Sequence, residues 1–90
     1  KVMLVGYYEV PTDARYGFAA CGDEFDQLSA RLSELAAATD TVWFVSAADV
    51  ITADNRSAYA EDRVHPSASG ARLVGEYVAA EMARIQELDL

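Results

Sequence analysis

The chain has 90 residues, 52% of them hydrophobic, with 15 Asp and Glu against 7 Lys and Arg for a formal net charge of −8. That length allows one domain at most, and the hydrophobic share excludes a disordered tail. The acidic balance argues against nucleic acid, because phosphate binding needs clustered Lys and Arg, and no apolar run approaches the roughly 20 residues of a membrane span.

Val2 to Tyr8 is a continuous apolar run with one glycine, the pattern of a strand buried on both faces. Lys1 already stands inside that strand pattern without an initiator methionine, so it reads as a cut point or domain edge. Pro11 cannot continue a ladder, and residues 9 to 22 read as a long loop carrying Arg15, Tyr16, Phe18 and Cys21. The aromatics of that loop either line a substrate cleft or pack the loop onto the body, packing being the commoner role. A helix is predicted from about Asp23 to Ala38, with Phe25, Leu28, Leu32 and Leu35 as its apolar stripe. Asp23, Glu24 and Asp26 suit the positive end of its dipole. Gly22-Asp23-Glu24 has glutamate where a Gly-Asp-Ser nucleophile block would have serine, and it opens a helix instead.

Thr41 to Ser46 reads as a second buried strand. Residues 47 to 64 form a long irregular connection, with a helical turn expected near Ser57 to Glu61. Pro66 and Ser67 start the last helix, which runs to about Glu87 with Val74, Tyr77, Val78, Met82 and Ile85 on its apolar stripe. Gly70, on the face turned to the sheet, would allow close backbone approach. Strand, helix, strand, helix implies a parallel pair with a right-handed crossover. Both long loops then lie beyond the carboxyl ends of the strands, where open α/β sheets bind ligands. Two strands apolar on both faces do not make a stable sheet alone, so the pattern reads as half of a doubly wound domain. The rest is expected from further residues, a second chain or self-association.

The sole histidine, His65, follows Asp62 by three residues and immediately precedes a helix start. A carboxylate at one imidazole nitrogen fixes the tautomer and leaves the other free to take a proton. In a tight turn Asp62 and His65 can project to one side, giving two thirds of a nucleophile–base–orienter triad. The spacing alone favours Asp62 satisfying a loop histidine or the backbone before a helix, because charged loop residues are mostly solvated. Cys21 is the sole cysteine, and one histidine cannot supply the usual zinc ligand set, so no metal or cofactor is expected. An odd cysteine leans the compartment toward secreted, with Cys21 pairing outside this segment.

Asp62-x-x-His65-Pro66-Ser67-Ala68-x-Gly70, followed by Leu73-Val74 and an amphipathic terminal helix, resembles the last block of the SGNH (GDSL-type) hydrolases. The strands at Val2–Gly6 and Val42–Val45 sit where that family has its late strands, so the resemblance covers essentially the whole chain. It implies the C-terminal half (β-α-β-α) of a three-layer α/β/α, flavodoxin-like fold with a parallel sheet. It also implies a serine esterase or lipase acting on a small-molecule or lipid acyl ester. Carried over by position, His65 would be the general base and Asp62 its orienter. No Gly-Asp-Ser, Gly-x-Asn-Asp or Gly-x-Ser-x-Gly block occurs in the 90 residues, and Ser46 and Ser67 are poor substitutes. The serine and oxyanion donors are thus expected from an N-terminal segment or a second chain, and the isolated chain is expected to be inactive. The alternative is a non-catalytic relic or assembly module of the same fold. A flavodoxin-like or receiver-like domain fits less well, lacking the phosphate loop or acidic cluster at the first strand.

Overall fold

The computed structural model describes residues 1–88. The order is β1 (Val2–Gly6), α1 (Gly22–Ala37), β2 (Val42–Ser46) and α2 (Ala68–Leu88), with short 3₁₀ turns at Phe18–Cys21, Ala47–Asp49 and Arg56–Ala58. The alternation of elements is the one the sequence periodicity predicts. β1 and β2 form a two-stranded parallel sheet in the register Leu4 with Phe44 and Gly6 with Ser46. β1 stops at Gly6, two residues short of the apolar run. Tyr7 and Tyr8 instead leave the strand: Tyr7 stacks on Tyr8 and Phe25, and Tyr8 meets Tyr59 edge to face.

Side chains alternate across a strand, and this sheet meets a helix on each face. A Cβ at Gly6 would lie 2.6 Å from the Phe44 ring and 3.6 Å from the Ser29 hydroxyl of α1. On the other face Met3 and Trp43 share a cleft with Met82 and Ile85 of α2, and Val5 shares a groove with Ala71 and Val74. Burial on both faces is incomplete, contrary to the sequence pattern: Val2 is 52% exposed and Val5 46%. Two strands and two helices do not supply enough apolar surface to cover them. The stripe of α1 is also displaced. Leu28 and Leu35 are exposed, whereas Phe25, Ser29, Leu32 and Ala36 are part-buried.

The best-buried cluster lies under the loops rather than in the sheet. Ile51, Ala58 and Tyr59 are sealed, with Tyr8, Val50, Leu73 and Val74 packed around them. The connection from 47 to 65 is therefore irregular in backbone but densely packed. Tyr59 belongs to this core, its hydroxyl donating to the Glu9 carbonyl. Cys21 is a free, half-buried thiol.

The start of α2 is fixed by two residues. Ser67 Oγ accepts from the Gly70 amide at 3.1 Å, which makes it the helix cap, and donates to the Ser57 carbonyl at 2.6 Å. Gly70 lets the helix approach another backbone, but that backbone is the 3₁₀ turn at Ala58 and not the sheet. A Cβ there would stand 2.0 Å from the Ala58 carbonyl oxygen. One substitution therefore has opposite signs at two positions of α2. Gly70→Ala should cost on the order of 3 kcal/mol through overpacking. Gly75→Ala, with open space around its Cβ, should stabilise by about 0.5–1 kcal/mol. Urea denaturation of both variants measures the contrast.

Candidate active site

Asp62 and His65 are brought together by a turn that the carboxylate itself closes. Asp62 Oδ1 accepts the backbone amides of Val64 at 2.9 Å and His65 at 3.0 Å. Its second oxygen, Oδ2, lies 2.6 Å from His65 Nδ1. Aspartate suits this position because its short side chain reaches its own backbone two and three residues ahead. The turn is pinned further by Ala60 N to the His65 carbonyl, 2.8 Å, and by an antiparallel bridge between Tyr59 and Pro66.

Burial divides the pair by role. The Asp62 side chain is 15% exposed and the His65 side chain 69%. The two amide donors of His65 and Val64, then the imidazole, hold the Asp62 carboxyl at about 2, below its ordinary 3.8. At neutral pH it is a carboxylate, which can only accept, so Nδ1 must carry a proton. In the neutral ring Nε2 is then the unprotonated nitrogen, on a side chain open to solvent. That is the arrangement a general base requires.

The remaining contacts fasten this turn to the loop after β1. Arg15 N donates to the Asp62 carbonyl at 3.1 Å, and the Tyr8 hydroxyl donates to the Val64 carbonyl. Burial raises both the Tyr8 and Tyr59 phenols, Tyr59 to about 12, so both stay protonated donors. Arg63, between the pair, is buried and left-handed, with φ of 61°. A non-glycine residue held there costs about 1–3 kcal/mol. Its Nε donates to Asp13 Oδ1 at 3.0 Å and its Nη2 to the Ala53 carbonyl at 2.7 Å. The guanidinium lies 4.7 Å from the Tyr59 ring centroid. Sequence reasoning did not single out Arg63, Asp13 or Tyr8, because an arginine in a loop ordinarily reads as solvated and nothing local marks a positive φ.

Among the described residues the serines do not complete a triad. Ser67 is occupied as the cap, and Ser46 Oγ accepts from the Ala48 amide. Among the described residues the imidazole bonds to no serine, its partner being Asp62. Arg15 and Tyr16 are exposed and Phe18 part-buried on the neighbouring loop. Among the described residues no group of three His, Cys, Asp or Glu side chains could hold a metal, and no helix is long and apolar enough to cross a membrane. No protein-family model matches the chain, and neither does any curated protein or solved structure.

The Asp62 titration gives a test of the turn. Its folded value lies below the unfolded one, so its stabilising contribution is complete above about pH 3.8 and is lost as pH falls through about 2. A ¹³C titration of the carboxyl should show that midpoint. Asp62→Asn should keep the Val64 and His65 amide shifts, since an amide oxygen still accepts from both, while Asp62→Ala should lose them.

Proposed function

We propose that this chain supplies the general base and its orienter to a serine ester hydrolase of the SGNH type, with the nucleophile and oxyanion donors lying outside residues 1–90. The observation that carries the reading is the 2.6 Å contact of Asp62 with His65 Nδ1 on a ring that is 69% exposed. In this scheme His65 Nε2 takes the proton of an incoming serine hydroxyl as that oxygen attacks the ester carbonyl. The imidazolium, stabilised by Asp62, gives the proton to the departing alcohol. The same ring then activates the water that releases the acid. The motif resemblance supports acyl esters of small molecules or lipids as the substrate class.

A second reading has its own observation. Val2, Val5, Leu28 and Leu35 are exposed apolar side chains, which suit a non-catalytic module that pairs with another chain. A fluorophosphonate probe separates the two. In the intact protein the adduct should map to a serine outside residues 1–90 and disappear in His65→Ala. Residues 1–90 alone should be unlabelled, with ester hydrolysis lower by on the order of 10⁴-fold or more. His65-dependent hydrolysis of p-nitrophenyl acetate by residues 1–90 alone would place the nucleophile inside the chain and defeat the proposal. An intact protein with no adduct anywhere would favour the assembly module.

A further inference from the structure

Arg63 stands next to Asp62 in sequence, yet its guanidinium makes no bond to that carboxylate. It is turned into the fold, where Asp13 takes Nε and Ala53 takes Nη2, and it stacks on Tyr59. These partners come from two segments: Asp13 from the loop after β1, and Ala53 and Tyr59 from the connection after β2. The anchoring is retained although it leaves Nη1 buried without a partner and the backbone left-handed. The unsatisfied donor points to a positional demand, since a guanidinium left on the surface would be hydrated.

The demand is visible in the turn. With Arg63 left-handed, the chain reverses so that the amides of Val64 and His65 both reach Asp62 Oδ1. With the guanidinium held inward, a strong bidentate competitor for carboxylates is withheld from Asp62, whose other oxygen stays with the imidazole. We infer that Arg63 is a positioning residue for the Asp62–His65 pair, locked by Asp13, Ala53 and Tyr59 so that the carboxylate is reserved for the turn amides and the ring. This rests on the proposed function only in calling that pair catalytic. Arg56, 3.4 Å from the other Asp13 oxygen and exposed, is a weak partner of the same carboxylate.

The test is NMR of the intact protein, following the His65 Nδ1–H resonance and the Asp62 carboxyl titration in two variants. Arg63→Gly accepts the positive φ but removes the guanidinium, and Asp13→Ala unlocks the guanidinium from an exposed position. In each, with the amide dispersion of β1 and α1 retained, Nδ1–H exchange should quicken at least tenfold. In Arg63→Gly the Asp62 midpoint should also rise from about 2 toward its ordinary 3.8, whereas in Asp13→Ala the freed guanidinium can reach that carboxylate and should hold it low. Unchanged exchange and titration in folded Arg63→Gly overturns the inference, and if that variant does not fold, unchanged Nδ1–H exchange in Asp13→Ala does so. A loosened pair with ester hydrolysis undiminished would contradict the proposed function and leave the positioning role standing.

Discussion

One carboxylate holds this site together. Asp62 spends one oxygen on two backbone amides and the other on an imidazole, so a single side chain closes the turn and sets the tautomer of the ring it positions. Because both tasks draw on one carboxylate, they are linked: protonating Asp62 weakens its bonds to the turn amides and to the ring together. Three donors on one carboxylate are also what keep it ionised far below neutral pH. The rest of the local structure serves this arrangement. Arg15, Tyr8 and Arg63 fasten the turn to the loop after β1, and the sealed cluster of Ile51, Ala58 and Tyr59 forms the floor beneath it.

The helix that follows is part of the same construction. Ser67 caps α2 and bonds back to Ser57, and Gly70 lets the first turn rest on the Ala58 carbonyl. Those contacts fix the helix cap only two residues after His65. The sequence Asp-x-x-His-Pro-Ser-x-x-Gly is thus a list of physical requirements as well as a motif. The aspartate closes the turn, the serine caps the helix, and the glycine admits a backbone.

Much of this was legible in the residues. The order of elements follows from apolar runs and helical spacing, and the Asp62–His65 pairing follows from a three-residue separation that one tight turn can close. The cap at Ser67 follows from its place before a helix. Other features were not legible. The stripe on α1 turned because leucines at 28 and 35 are indistinguishable in spacing from those that are covered, and only the placement of α1 against the sheet decides. Gly70 was read correctly as a close approach but against the wrong partner, since contact with a 3₁₀ turn twelve residues earlier leaves no periodic trace. Arg63 escaped notice because its partners, Asp13 and Ala53, lie fifty and ten residues away.

The exposed valines of the sheet and the exposed leucines of α1 set the site in context. A sheet of two strands with half-covered faces holds the ring in place, and among the described residues no serine bonds to it. The account therefore requires chemistry to be shared with polypeptide outside these residues, and it stands or falls on which ring nitrogen of His65 is available. The ¹⁵N shifts of the His65 imidazole, recorded where the ring is neutral, test this most directly. The account predicts a protonated Nδ1 and a bare Nε2; a protonated Nε2 with Nδ1 bare would show that Asp62 does not orient this ring as a base.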